Sequence, residues 1–239
     1  MRDQLSTRTH QAGPMRQKPV VAIDGPSGVG KTTVARRVAQ TLGFVLVDTG
    51  ALYRSLAYLA DREAVSWESP SELAALAGRH RFEYLGTGHL HLDGVPVGDE
   101  IRTPHISMGA SAVAKHGAVR EALLLVQRDL GRGGGVVLEG RDVGTAVFPD
   151  AEVKVFLTAS AHERARRRHL ELVEKGGKIS FAAVLEDQQA RDDTDRNREV
   201  APLKKAEDAV LIECDEMTPN EVVTAILNKI DAVFPLTSK

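Results

Sequence analysis

Residues 20–42 read VVAIDGPSGVGKTTVARRVAQTL, an apolar strand-like run, then a glycine-rich turn, then a segment of helical period. Gly25, Pro26, Ser27, Gly28, Val29, Gly30, Lys31 and Thr32 complete the pattern G-x-x-x-x-G-K-[ST], and Thr33 follows at the helix start. Glycines let backbone N–H groups turn inward around phosphate oxygens, and the helix presents its positive N-terminus to them. In such a loop Lys31 reaches the β- and γ-phosphates and Thr32 offers its hydroxyl to Mg²⁺. A glycine-rich turn that matched by chance would lack the strand before it and the helix after it.

Further apolar runs lie at Phe44 to Val47, Val136 to Leu138, Val153 to Leu157 and Val210 to Ile212, separated by segments of helical period. Short apolar runs alternating with helices predict a three-layer α/β/α fold around a five-stranded parallel sheet. Ser160 with Glu163 and Thr218 with Glu221 have capping-box spacing, and Pro219 opens a final helix expected to reach Val233. Residues 81–97, RFEYLGTGHLHLDGVPV, break the rhythm with Gly86, Gly88 and Asp93-Gly94, which punctuate small antiparallel strands. The expected organisation is a leader over 1–18, a core over 19–63 and 106–239, and an insertion over 64–105 with a helix starting near Ser69-Pro70. His89 and His91 fall on one face of a small strand, and Trp67 is expected to pack.

With 31 Lys plus Arg against 33 Asp plus Glu, the net charge is −2, which disfavours a broad nucleic-acid or membrane footprint. The single cysteine, Cys214, excludes an internal disulfide and fits a reducing compartment, the cytoplasm. The first eighteen residues are polar and include Met15, a candidate start, so the leader reads as a mobile extension without a signal peptide. No repeated or plainly exposed apolar face argues for more than a monomer.

Asn228, Lys229 and Asp231 match the N-K-x-D pattern that reads guanine in GTPases. There it follows a strand, whereas Val222, Ile226, Ile230 and Val233 carry a helical period through it here.

Four clusters lie downstream of the phosphate loop: DTGALYR at 48–54, SAVAKHGAVR at 111–120, LEGRDVGT at 138–145 and RDDTDRNR at 191–198. In order and spacing, from Val20 to the C-terminus, they resemble the bacterial cytidylate kinase family, a branch of the nucleoside monophosphate kinases. The resemblance implies transfer of the γ-phosphoryl group of ATP, with Mg²⁺, to CMP or dCMP. It also implies a monophosphate-binding insertion and an arginine-bearing lid over about 162–196. At matching positions it implies that Arg54, Arg141 and Arg198 hold the CMP phosphate, that Ser111, Arg120 and Asp142 address cytosine, and that Arg191 and Asp195 contact the sugar. Lys31, Arg141 and Arg198 are then the catalytic set, Thr49 stands where a serine is common, and Glu139 where many relatives carry aspartate.

These residue types suit the chemistry on their own. A phosphate monoester carries about −1.5 to −2 charge near neutral pH, and an arginine fork meets its oxygens with two hydrogen bonds. The acceptor is already an anionic oxygen, so positioning and charge stabilisation suffice without a general base. Arg164 and Arg167 belong either to a lid hinged at Gly176-Gly177 or to a solvated helix face. Residues 191–198 could equally form a salt-bridged helix end, and Asp48 and Asp142 could be caps rather than ligands. A kinase of another small acceptor, UMP or a shikimate-like metabolite, is the alternative, but it should lack the insertion and the second arginine-aspartate cluster. An RNA-binding P-loop protein is disfavoured by the net charge.

Overall fold

The computed structural model describes residues 16–85, 88–174 and 176–235. In chain order the core opens with β1 (Val20–Asp24), α1 (Lys31–Leu42), β2 (Val45–Asp48) and α2 (Thr49–Arg62). Next come α3 (Pro70–Arg79), β3 (Phe82–Leu85), β4 (His89–Leu92), β5 (Val95–Pro96) and a 3₁₀ turn (Asp99–Arg102). Helices α4 (Pro104–Val113) and α5 (Gly117–Gly131) lead to β6 (Val136–Gly140) and a π turn (Val143–Val147). The chain closes with β7 (Val153–Thr158), α6 (Ala161–Glu174), α7 (Phe181–Asn197), β8 (Val210–Glu213) and α8 (Pro219–Val233).

The five-stranded parallel sheet has the order β2-β6-β1-β7-β8, and a separate antiparallel sheet has the order β3-β4-β5. The side-chain period of two sorts β1 between the layers. Val20 and Ala22 join a core with Leu52 and Leu56 of α2 and Leu123 of α5, whereas Val21 and Ile23 join one with Val34 and Val38 of α1 and Ile226 and Ile230 of α8. Leu73 and Leu76 of α3 and Phe82, Tyr84 and Leu90 of the small sheet pack into the α2 side of that core, so the small sheet shares it. Trp67 packs against the same core and donates from Nε1 to the Ala57 carbonyl.

Strand β2 starts one residue later than expected and runs to Asp48. Helix α8 has the bounds read from sequence, with the complete Thr218–Glu221 capping box, and it contains Asn228, Lys229 and Asp231. The box at Ser160 is only half formed. Ser160 Oγ accepts the Glu163 N–H, but Glu163 turns its carboxylate to Arg166 and Arg167, and Ser160 N–H donates to Asp215 instead. Two arginines out-compete one backbone donor for the carboxylate.

Met15 and the residues before it lie outside the described residues. Residues 16–18, read as leader, do not fit a free extension. Arg16 pairs with Asp150 at 2.7 Å and Glu152 at 3.0 Å, and lies over the Phe148 ring. Among the described residues no helix is long and apolar enough to cross a membrane.

Candidate active site

With β1 central, the carboxyl ends of β1, β2 and β6 carry Asp24, Asp48 and Gly140 to one edge, where ligands of open α/β sheets bind. The loop Gly25–Gly30 follows β1 directly. Gly25 must be glycine, since a Cβ there would lie 2.3 Å from the Leu157 carbonyl oxygen. Lys31 is buried and donates to the carbonyls of Gly25 at 2.8 Å and Pro26 at 2.6 Å. Burial, and after it the Arg141 charge, lower its ammonium to about 7.

Thr32 and Thr33 open α1, and the Thr32 side chain lies beside the Glu139 carboxylate at the end of β6, where it favours the ionised form. Glu139 is buried, its Oε1 lacks a hydrogen-bond partner, and burial followed by the Asp48 charge pushes it up to about 7. Among the described residues no cluster of three or more metal-ligating side chains stands ready to hold a metal alone. A hydroxyl beside an orphaned carboxylate oxygen nevertheless fits Mg²⁺, which keeps several waters and takes few protein ligands beside nucleotide phosphates.

Asp48 is both cap and ion pair. It accepts the Ala51 N–H at 3.0 Å, pairs with Arg54 at 2.7 Å, and offers its main-chain oxygen to the Tyr84 hydroxyl. Burial opposes ionisation, but the neighbouring Arg54 and Arg102 charges prevail and hold Asp48 below the usual range. Thr49 Oγ1 donates to the Glu139 carbonyl at 2.7 Å.

On the other side of β6 the predicted arginines and aspartates converge. Arg120 of α5 donates to Asp142 at 2.5 Å, Arg198 meets Asp142 at 3.3 Å and Asp195 at 3.5 Å, and Arg141 meets Asp195 at 2.8 Å. Three cations and two carboxylates from α5, the end of β6 and the end of α7 thus form one chain of contacts. Burial, followed by the Arg120 charge, lowers Arg198. Tyr53, unremarked in the sequence although it stands inside DTGALYR, puts its ring 5.5 Å beneath the Arg120 guanidinium.

Like Thr49 and Arg54, two more predicted residues stand outside this chain of contacts. Ser111 donates to the Ser107 carbonyl of its own helix α4, and Arg191 pairs with Asp187 one turn earlier on α7. Arg164 and Arg167 differ from each other. Arg164 is no solvated-face residue: it is 3% exposed, pairs with Asp192 of α7, and donates to the Ser27 carbonyl of the phosphate loop. Arg167 is held by Glu163 and by the carbonyls of Cys214 and Asp215 after β8. Only Arg166 and Arg168 behave as an outer face, each pairing with a glutamate of α6.

A cavity of about 310 Å³ opens between α1 and the small sheet, its walls including Thr32, Asp48, Tyr84, Arg36 and Arg102. The sequence reading passed over Asp24, whose buried carboxylate bonds two backbone N–H groups just beyond Asp142. Its only signal was an acid in an otherwise apolar strand run.

Comparison with known proteins agrees with this arrangement. The protein family described as Cytidylate kinase matches residues 21–232. A cytidylate kinase of Bacillus pumilus is 45% identical over 222 residues, covering 92% of this chain and 99% of its own. One from Thermosipho africanus is 46% identical over 207 residues, covering 87% and 92%, and one from Pseudomonas paraeruginosa is 47% identical over 215 residues, covering 88% and 94%. A phosphate loop, a converging arginine-aspartate network and this match over nearly all of the described chain have one reading: the chain belongs to the cytidylate kinase family.

Proposed function

We propose that the chain transfers the γ-phosphoryl group of ATP to CMP or dCMP, and that the linked Arg120, Asp142, Arg198, Asp195 and Arg141 bind the acceptor. The observation that carries this reading is that network's place at the strand ends beside the phosphate loop. Its carboxylates hold the arginines preorganised, so little reorganisation is left when a dianion enters.

In this reading Gly25 to Thr33 cradle the ATP phosphates, and Lys31 exchanges its two carbonyl partners for phosphate oxygens. Arg54, Arg141 and Arg198 grip the CMP phosphate. The carboxylate of Asp142 accepts from the cytosine amino group, with Ser111 and Arg120 beside it, while Arg191 and Asp195 face the sugar. Thr32, with Glu139 beside it, would hold Mg²⁺, which would supply charge neutralisation at the phosphates. The acceptor oxygen attacks in line with no proton to remove, so the protein positions and stabilises charge. Arg164 and Arg167, with α6 and α7, form the lid that keeps water from the γ-phosphate. The enzyme works as a monomer in the cytoplasm.

Coupled ADP release measured over CMP, dCMP, UMP, AMP, GMP and shikimate tests the acceptor. CMP and dCMP should lead, whereas faster turnover of UMP or shikimate would favour another small acceptor. Asp142→Asn tests base reading. It should lower kcat/KM for CMP and narrow the CMP-over-UMP preference by about 1–3 kcal/mol, the range for one good base contact. Arg141→Ala is the control, weakening both nucleotides alike.

A further inference from the structure

Asp24 is the last residue of β1 and the residue before the phosphate loop, and it is 4% exposed. Both carboxylate oxygens are used. Oδ1 accepts the Val143 N–H and Oδ2 the Gly144 N–H, each at 2.8 Å. Those are the first two N–H groups of the π turn that begins immediately after Asp142. The turn is also gripped from within, because the Asp142 carbonyl accepts the N–H groups of Ala146 at 2.8 Å and Val147 at 3.2 Å.

The consequence lies in what the turn carries. Arg141 and Asp142 leave the sheet between Gly140, which pairs in register with Asp24, and Val143, which Asp24 holds. The Asp142 backbone sits at φ −148 and ψ 21, outside both strand and helix, so a contact just beyond it sets where the side chain points. One residue along the chain in the other direction, Gly25 begins the cradle for the donor phosphates. A single side chain therefore connects the donor half of the site to the acceptor half.

A neutral cap would not do this. Asn, Ser or Thr offers a single uncharged acceptor oxygen, whereas here each of two adjacent N–H groups meets its own carboxylate oxygen in a charge-assisted bond. The carboxylate is kept in place although burial, the largest influence, pushes it up to about 6, partly offset by the two N–H groups. Among the nearby charges Asp142 raises it and Lys31 lowers it, so the two oppose each other.

We propose that Asp24 is a positioning residue for phosphoryl transfer, its two hydrogen bonds holding Arg141 and Asp142 in register with the phosphate loop. This rests on the reading that Arg141 and Asp142 bind the acceptor. It assigns Asp24 no contact with either nucleotide.

Asp24→Asn keeps the shape but sets an NH₂ group against a backbone N–H. Losing one charge-assisted hydrogen bond in this way should lower kcat about tenfold to a hundredfold. The KM for ATP should stay within about twofold, and the CMP-over-UMP preference should narrow. Amide hydrogen exchange across 141–147 should rise while that of α8 stays unchanged, a local effect that general destabilisation does not give. If kcat and the preference stay within about twofold of wild type, or if the KM for ATP rises as much as kcat falls, the proposal is wrong. Should the Asn variant fail to fold, Asp24→Ser, smaller and with one acceptor, is measured in the same way. Asp142→Asn run in parallel separates the two readings. If it leaves the preference intact, base reading by Asp142 fails, while kcat against ATP KM still decides Asp24.

Discussion

Arg164 and Asp192 form an ion pair of 2.7 Å in which each side chain is only 3% exposed, and it fastens α6 to α7. The same guanidinium reaches the carbonyls of Ala159 and, in the phosphate loop, Ser27. A position that from sequence could belong to a lid or to a solvated helix face is therefore the bolt between a helical hairpin and the glycine-rich loop after β1. Gly28 shows how close that hairpin lies, since a Cβ there would fall 2.3 Å from the Gln188 side-chain nitrogen.

Arg164→Met should be strongly destabilising, because it leaves Asp192 buried without its cation. Breaking a buried pair from one side costs about 3–5 kcal/mol. Replacing both partners, Arg164→Met with Asp192→Leu, should recover much of that loss. Thermal unfolding of the single and double variants checks this, and a double variant no more stable than the single one would contradict it.

Lys31→Ala should fold normally yet turn over about 10²- to 10³-fold more slowly, the effect of losing one preorganised transition-state contact. Its ammonium bonds only to main-chain carbonyls of its own loop, so the fold does not depend on it. Circular dichroism paired with steady-state kinetics separates the two effects. Near-normal turnover would overturn the assignment of the phosphate loop.

His80 should make the small sheet sensitive to pH. Its Nδ1 lies 2.6 Å from Asp93 and its Nε2 2.9 Å from Glu63, so both ring nitrogens are donors and the imidazolium is the bound form. The Asp93 hydrogen bond, with that of Glu63, raises its pKa above the ordinary value of 6.5. The stabilisation is thus fully present below pH 6.5 and is lost as pH rises through the folded-state value. Amide exchange in 81–93 should quicken as the solution is taken from pH 6 to pH 8, after correction for intrinsic rates. His80→Gln should abolish that dependence, and an unchanged pH profile in the variant would show that His80 is not its source.

Binding of CMP with a non-hydrolysable ATP analogue should protect two segments from hydrogen exchange, the small sheet region 64–105 and α6 with α7. Keeping water from the γ-phosphate requires closure over the site, and these segments flank it. Protection confined to the phosphate loop would argue against closure.

The sequence by itself determined the sheet and the strand-loop-helix setting of the glycine-rich loop, and it singled out Arg120, Arg141, Asp142, Asp195 and Arg198, which the fold brings together. Alternating apolar runs such as Val20 to Ile23 can be buried on both faces only in a covered parallel sheet, and the loop's glycine spacing is dictated by its backbone geometry. The last helix, the small antiparallel strands and the helical setting of Asn228 to Asp231 were legible for the same reason, because local patterns follow local sterics. What the tertiary structure decided was which charge meets which. Glu163 had a capping role available from spacing alone, but two arginines took its carboxylate. Arg16 belonged to a polar leader until Asp150 and Glu152, more than 130 residues away, gave it partners. Arg164 and its neighbours Arg166 and Arg168 look alike in sequence, yet only the packing of α7 and the phosphate loop removes water from one of them. Asp24 is the sharpest case: nothing nearby in sequence needs a buried carboxylate, and its purpose exists only because parallel pairing of β1 with β6 delivers the N–H groups of Val143 and Gly144 to its two oxygens.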